Sequence, residues 1–340
     1  MNPVTYFNPV DVGAALAHAD NSAHFIAGGT NLIDLMKEDV LRPSALIDIN
    51  GLPLDEITPT PAGGLLLGAT ARNADTAYHP LVRQGYPLLN AAILAGASPQ
   101  LRNMASNGGN LLQRTRCLYF YDVATPCNKR EPGSGCSAIG GLTRQHAIFG
   151  ASPQCIAVHP SDMCVALAAL GAIVHVRSVQ GERQIDFADF HRLPEDHPEL
   201  DSTLAPGELI TAIELPPAAQ FAAHSYYLKL RDRASYAFAL VSVAAMLDIG
   251  DDGVVLAARL ALGGVAHKPW RVPAAEALLV GQPASAESFE KAAAALLAGA
   301  QGQGQNNFKI PLAHSAVVRA LVLAAEGTPE NTRSYCDRSD

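Results

Sequence analysis

Four cysteines, Cys117, Cys127, Cys136 and Cys155, fall in one polar stretch punctuated by Gly and Pro, with nine, eight and eighteen residues between successive members. Thiolates bind zinc and iron–sulfur clusters, but this spacing matches neither the paired C-x-x-C of structural zinc nor the compact ferredoxin run. Their company is basic. Arg114, Arg116, Lys129, Arg130 and Arg144 would offset the net negative charge that four thiolates leave on an iron–sulfur cluster. Two disulfides, or unpaired thiols in a loop beside ordinary surface arginines, are the competing readings. Cys164, in an apolar helical run, reads as a small core residue, and Cys336 as a free thiol in a polar tail.

Two glycine doublets carry the second kind of chemistry. Ala27-Gly28-Gly29-Thr30-Asn31-Leu32 stands between a strand-like run and a helix, where free backbone N–H groups and the helix dipole can hold a phosphate and missing side chains allow close approach. A tight turn without a ligand is the alternative. Ser106-Asn107-Gly108-Gly109-Asn110-Leu111 repeats the device, so two loops from different units are expected to pinch one diphosphate from opposite sides. Gly63-Gly64, Gly140-Gly141 and Gly263-Gly264 show that 28 glycines also make doublets by chance. The nicotinamide-type fingerprint is missing: no third glycine follows Gly28-Gly29 at the required spacing, and Gly133-Ser-Gly135-Cys-Ser-Ala138 follows Arg130-Glu-Pro132 rather than an apolar strand. Lys229-Leu-Arg231-Asp-Arg233 closes a strand-like run, so its cations are either a solvated edge or include a lysine facing a flavin. Neither H-E-x-x-H nor G-x-S-x-G occurs, and hydrolysis has no candidate.

These segments need elements to hold them. Asp11 caps a predicted helix through His18, His24 to Ala27 reads as a strand, a helix runs through Met36, and Leu46 to Ile49 is the next strand, which makes residues 1–55 a small α/β unit. A second unit, 56–220, starts with the strand Leu65 to Ala69 and a helix from Leu88 that ends near Gly96. Within it, Gln113 to Val158 is too long and irregular for an ordinary connection and reads as a functional insert. Ser161-Asp162 then starts an Ala/Leu helix to Leu170, stopped by Gly171 and followed by a strand to Val176. After Pro216-Pro217 a third unit, 221–326, combines strand-like Ser225 to Leu230, an apolar stretch from Tyr236 and Ala-rich helices from Pro273; residues 327–340 form a polar, frayed tail.

Composition bounds the function. With 340 residues, 49% hydrophobic and 16% charged, the chain buries enough to order itself in two or three domains. A formal charge of −8 without a long basic stretch argues against nucleic acid as a partner. The apolar stretches Met163 to Val176 and Tyr236 to Leu247 fall short of the roughly 20 residues of a membrane helix. No basic leader with an apolar run opens the sequence, so export is expected only in company with another chain.

Ala27-Gly-Gly-Thr30, Ser106-Asn-Gly-Gly-Asn110, Ser161-Asp162 and the Lys229 segment resemble the FAD-binding subunits of molybdenum hydroxylases, the family of xanthine and carbon monoxide dehydrogenases, over about Tyr6 to Leu323. Leu111-Leu-Gln-Arg-Thr-Arg-Cys117, Pro126-Cys-Asn-Lys-Arg130, Pro132-Gly-Ser-Gly-Cys136 and His159-Pro-Ser-Asp162 resemble its bacterial periplasmic aldehyde oxidoreductase branch, whose FAD subunit carries an extra [4Fe–4S] cluster. The resemblance implies an α+β chain: a two-part FAD-binding domain with an iron–sulfur insert, then a smaller α+β domain. It implies FAD contacts from Ile26, Ala27, Gly28, Gly29, Thr30, Asn31, Leu32 and Ile33, from Ser106, Asn107, Gly108, Gly109 and Asn110, and from Asp162, Ile210 and Lys229. It implies Cys117, Cys127, Cys136 and Cys155 as cluster ligands and no catalytic residue in this chain. Asn107 departs from the β-branched residue usual before Gly-Gly, which bears on the local diphosphate contacts. The implied partners are a large molybdenum-cofactor subunit that oxidises an aldehyde, a small subunit with two [2Fe–2S] clusters that relays the electrons, and an external acceptor. The implied location is the periplasm, reached on a partner's signal, or otherwise the cytoplasm. A flavin-free scaffold or assembly subunit with zinc or a bare cysteine loop is the alternative of a different class.

Overall fold

In the computed structural model, which describes residues 2–20 and 22–329, the chain opens with β1 (Thr5–Phe7), α1 (Val12–Ala17), β2 (Ala23–Ile26), α2 (Leu32–Lys37) and β3 (Ala45–Asp48). The strands form a parallel sheet in the order β1-β3-β2. Asp11 caps α1 by accepting from the Ala14 amide at 2.7 Å, as its place before an apolar run predicts. Ala15 and Leu16 of α1 bury against Ile47, Ile49 and Leu52, and Leu209 from the following unit closes that small core.

The second sheet is antiparallel throughout. β4 (Ile57–Pro59) and β5 (Leu65–Gly68) lead into a helical run: α3 (Asn73–Tyr78), α4 (Pro80–Gly85), α5 (Pro87–Ala95), α6 (Pro99–Arg102) and α7 (Asn107–Leu111). After the insert and its one short helix, α8 (Leu118–Tyr121), come α9 (Asp162–Leu170), β6 (Ile173–Ser178), β7 (Gly181–Asp186), α10 (Phe187–Phe190) and β8 (Leu209–Leu215). The strand order is β4-β5-β8-β6-β7, so the last strand in sequence sits at the centre. The sequence does announce α9: the Ser161 hydroxyl accepts from the Cys164 amide at 3.1 Å, and Gly171 ends the helix at φ 69°, the left-handed stop that favours glycine. Every residue of α9 is buried, because the helix lies between this sheet and the third one.

That third sheet is the meander β9 (Ser225–Leu230), β10 (Val241–Ile249) and β11 (Val255–Gly263). α11 (Pro273–Ala277), α12 (Ala286–Leu296) and α13 (Lys309–Glu326) follow, with α12 and α13 packed through Phe289, Ala293, Val317 and Leu321. The tail does not begin free. Thr328 docks on β9, its hydroxyl accepting from the Ser225 amide at 2.8 Å and donating to Ala222 O at 2.9 Å; Cys336 lies outside the described residues.

The insert is irregular, as its sequence predicts, but it is pinned at both ends. Ile148 and Phe149 enter the core of the third unit, Phe149 stacking on Trp270 with ring centroids 4.7 Å apart. On the other side the Lys129 ammonium, 3% exposed, donates to Asp201 at 2.5 Å and to Pro198 O at 2.6 Å, and Arg114 Nε donates to the same carboxylate at 2.6 Å. Burial alone would raise the Asp201 carboxyl, but the Arg114 and Lys129 cations and their hydrogen bonds prevail and hold it down at about 2. Removing one member of such a pair strands the other charge. Asp201→Asn should therefore lower stability by about 3 kcal/mol in urea titrations at neutral pH. In the parent protein that contribution is complete above the ordinary aspartate pKa, roughly 4, and fades as pH falls toward the folded value; the variant should lack this slope, and equal slopes would contradict the pairing.

Candidate functional site

The first glycine segment turns β2 into α2. Gly29 has φ 70°, a left-handed conformation that suits glycine. The backbone amides of Gly28, Gly29, Thr30, Asn31 and Leu32 donate to no acceptor among the described residues, which leaves a row of N–H groups for an anion. Gly28 is needed for a different approach than the one expected: a Cβ there would stand 1.8 Å from the Met104 carbonyl oxygen. The first glycine segment therefore touches, backbone to backbone, the Met104-Ala105 turn that leads into the second.

The second segment is not a mirror of the first. It forms α7, capped by Ser106, and its amides are already used: Asn107 N donates to Ala71 O at 2.9 Å, Gly108 N to Ala69 O at 2.8 Å, Gly109 N to Ser106 Oγ at 3.2 Å and Asn110 N to Ser106 O at 2.9 Å. Gly108 lets the helix lie on the sheet, where a Cβ would meet Ala69 at 3.2 Å and Ile210 at 3.6 Å. Asn107 is fully buried and faces inward; its Oδ1 accepts from Asn73 Nδ2 at 3.1 Å and Thr76 Oγ1 at 3.0 Å, and its Nδ2 donates to Gly68 O at 3.2 Å. The side chain of this asparagine is a brace between α7, α3 and the end of β5.

Above these supports lies a cleft of about 610 Å³ walled by all three units. Of the residues from which FAD contacts are expected, Thr30, Asn31, Asn110, Asp162 and Lys229 form its wall. Ile26, Ala27, Gly28, Gly29, Leu32, Ile33, Ser106, Asn107, Gly108, Gly109 and Ile210 are not among its wall residues and carry the backbone that shapes it. Asp162, in the first turn of α9, pairs with Lys229 of β9 at 2.7 Å, the two side chains 7% and 5% exposed. Tyr227 donates to the other carboxylate oxygen at 2.7 Å, and Lys229 also donates to Ala95 O at 3.0 Å. Lys229 is thus no solvated edge. Burial and the Asp162 charge push the Tyr227 phenol well above its ordinary range, so it stays a donor.

Gln145 and Phe238 reach the wall from loops with no periodic signal, and so does Arg116, which the sequence suggests only as basic company for the cysteines. Arg116 Nη2 donates to Asn31 Oδ1 at 2.5 Å and Nη1 to Tyr121 OH at 2.9 Å, and the guanidinium lies 5.1 Å from the Phe238 ring centroid. Arg116, Gln145, Pro160, Ser161, Asp162 and Phe238 also wall a second cavity of about 360 Å³, which continues to Cys117, His146 and Gly263-Gly264.

Behind Cys117 the four predicted cysteines line one small cavity together with Phe120, Lys129 and Ala157. All four are free thiols, so the two-disulfide reading fails. Cys127 and Cys136 face each other as an antiparallel bridge, closed by Asn128 N donating to Gly135 O at 2.7 Å and Gly135 N to Asn128 Oδ1 at 2.7 Å. Burial pushes the Cys117 thiol up to about 11 and Cys155 up to about 12, so neither ionises without a counter-charge. Among the described residues the set gathered tightly enough for a single ion, within 4.8 Å, is the buried His159, Cys164 and His191; the four cysteines are spread more widely. The basic residues are mostly engaged elsewhere: Arg144 pairs with Asp232 at 2.7 Å on the surface, and Arg130 donates to the Tyr119 and Phe120 carbonyls at 2.8 Å each. Lys129 is the one of the five that borders the cavity. Two histidines approach instead, His146 Nε2 3.2 Å from Cys117 Sγ and His267 Nε2 3.3 Å from Cys155 Sγ.

The contact between Gly28 and the Met104-Ala105 turn is open to a direct test. Gly28→Ala forces a methyl into the Met104 carbonyl and should cost about 2 kcal/mol, read as a lower calorimetric midpoint. Gly85→Ala, where a Cβ meets nothing within 4 Å, should not; equal midpoints for the two variants would refute the close approach.

Comparison with known proteins identifies the family. Residues 2–218 match the FAD binding domain in molybdopterin dehydrogenase, and residues 225–324 match the CO dehydrogenase flavoprotein C-terminal domain. The chain is 52% identical to the aldehyde oxidoreductase FAD-binding subunit PaoB of Escherichia coli K12, over 89% of this chain and 91% of that one. It is 29% identical to the glyceraldehyde dehydrogenase medium chain of Sulfolobus acidocaldarius, over 76% and 73% of the two chains. In fold it resembles a chain of the CO dehydrogenase of Oligotropha carboxidovorans, with a TM-score of 0.74 at 22% identity, covering 96% of this chain and 98% of that one. Two family matches that together span all three units, with one relative at more than half identity, leave a single assignment: the chain belongs to the FAD-binding subunits of the molybdenum hydroxylase family of oxidoreductases.

Proposed function

We propose that this chain is the electron-transfer subunit of a heterotrimeric molybdenum-dependent aldehyde oxidoreductase, holding FAD in the cleft and a [4Fe–4S] cluster among Cys117, Cys127, Cys136 and Cys155. The likeness to an aldehyde oxidoreductase subunit of Escherichia coli motivates the substrate class. The partners are then a large molybdenum-cofactor subunit, where the aldehyde is oxidised, and a small subunit with two [2Fe–2S] clusters that delivers the electrons; an external acceptor removes them. A bound flavin exchanges electrons singly or in pairs, and that chemistry is the cofactor's own.

The chain's residues bind and orient. The open amides from Gly28 to Leu32 suit a diphosphate. The Asp162–Lys229 pair and the Tyr227 phenol, joined at the cleft wall, fix polar groups there without a net charge. No helix among the described residues is long and apolar enough to cross a membrane. The periplasm is the proposed compartment, with the export signal on a partner subunit.

One observation supports the cluster most. Four unpaired thiols line one cavity, yet they are more widely spread than the ligands of one ion, as suits a polynuclear group. The reading predicts flavin bands over a broad iron–sulfur shoulder in the purified complex. Cys127→Ser should lose the iron assigned to this chain while Cys336→Ser retains it, as measured by iron and acid-labile sulfide. A colourless chain containing zinc would instead favour the flavin-free scaffold, and equal iron in the two variants would contradict the ligand assignment.

A further inference from the structure

Two of the four cysteines have a neighbour that the others lack. His146 Nε2 lies 3.2 Å from Cys117 Sγ, and His267 Nε2 lies 3.3 Å from Cys155 Sγ, within N–H···S reach. Both rings are buried, 5% and 7% exposed, and in both the Nδ1 atom has no partner. A neutral imidazole carries one ring proton, and the surroundings decide which nitrogen holds it. On Nδ1 the proton would be a buried donor facing nothing, while the Nε2 lone pair met a sulfur lone pair. On Nε2 it meets the sulfur and leaves only an acceptor unmatched. The geometry therefore selects the Nε2–H tautomer for both rings, with the thiolate as acceptor.

The backbone segments that carry the two rings are also tied together by one buried lysine. Lys309, fully buried at the start of α13, donates to His146 O at 2.9 Å and to Gly264 O at 2.6 Å, three residues before His267. Asn306 Nδ2 adds a bond to His146 O at 2.9 Å, and the His146 amide donates to Thr143 O at 2.9 Å. The third unit thus supplies one imidazole outright and fixes the backbone of the other. Cys117 and His146 also wall the cavity that adjoins the FAD cleft, whereas Cys127, Cys136 and Cys155 do not.

We propose that His146 and His267 are positioning residues for the cluster, donating N–H···S hydrogen bonds to Cys117 and Cys155 and thereby raising its reduction potential. The inference rests on the cluster assignment above. A hydrogen bond to a ligand sulfur favours the more negative, reduced state and so opposes the lowering that burial imposes. With both donors on the Cys117 and Cys155 side, the ligand nearest the cleft carries one of them.

The test is an EPR-monitored redox titration of the whole complex, with iron and sulfide measured in each sample. His146→Leu and His267→Leu should each shift the one-electron equilibrium about tenfold toward the oxidised cluster, a midpoint lower by 59 mV. His146→Gln and His267→Gln, which keep an N–H at about the same place, should recover most of that shift. Midpoints unchanged in both leucine variants at full iron content would overturn the proposal. If the leucine variants do not hold iron, pulsed EPR of the reduced parent complex with ¹⁵N-labelled histidine decides: nitrogen coupling to the cluster and an adjacent exchangeable proton are expected, and their absence refutes the hydrogen bonds. A parent complex with no iron in this chain would instead overturn the cluster assignment itself.

Discussion

Four thiols around one cavity, Cys127 and Cys155 buried and Cys117 and Cys136 half-buried, impose a charge constraint that organises the insert. A thiol deep in protein resists ionisation, as at Cys117 and Cys155, and a ligand sulfur must nevertheless be a thiolate. Whatever binds must supply positive charge, and the walls must not compete for it. The arrangement meets both demands. Arg130 spends its guanidinium on loop carbonyls, Arg114 and Lys129 are matched by Asp201, and Arg144 by Asp232. The cavity is left with the four thiols, mostly apolar neighbours such as Phe120, Ala138 and Ala157, and a Lys129 whose charge Asp201 already matches. His146 and His267 reach Cys117 and Cys155 from beyond that lining.

A cavity of this kind keeps its shape only if the irregular chain around it cannot spread. Regular structure contributes little there; α8 alone is helical. Rigidity is borrowed from the third unit. The amides of Ile148 and Phe149 both donate to Val265 O, at 2.9 and 3.0 Å, the Thr143 hydroxyl donates to Gln303 O at 2.9 Å, and Lys309 bridges the His146 and Gly264 carbonyls. The cleft is built by the same logic. Its wall combines Thr30 and Asn31 of the first glycine turn, the start of α9 and the end of β9, and the Asp162–Lys229 pair locks the last two together. Because Arg116 reaches Asn31 from the residue beside Cys117, cleft and cysteine cavity share a rigid border.

Much of this is legible in the sequence where a local rule decides it. Asp11 and Ser161 are caps, Gly171 is a helix stop, and Gly29 takes a left-handed turn; each depends on a residue and its immediate neighbours. β7 is not legible, since most of its residues are exposed and polar, and neither is the central place of β8, which depends on partners far away in the chain. The same limit governs the site. Thr30, Asn110 and the cysteines stand in recognisable segments, but Arg116, Phe238 and Gln145 reach the cleft from loops, and His146 and His267 meet their sulfurs only after distant segments fold together. The role of the Asn107 side chain is hidden for a related reason: its neighbours in sequence are glycines, while its partners in space are Asn73 and Thr76.

The central claim, that the four-cysteine cavity holds an iron–sulfur cluster beside the flavin cleft, is tested most directly by an anomalous difference map collected at the iron edge from crystals of the intact complex. The account predicts a compact four-iron peak bounded by Cys117, Cys127, Cys136 and Cys155. A map without iron there, or with a single zinc site among those sulfurs, would contradict it.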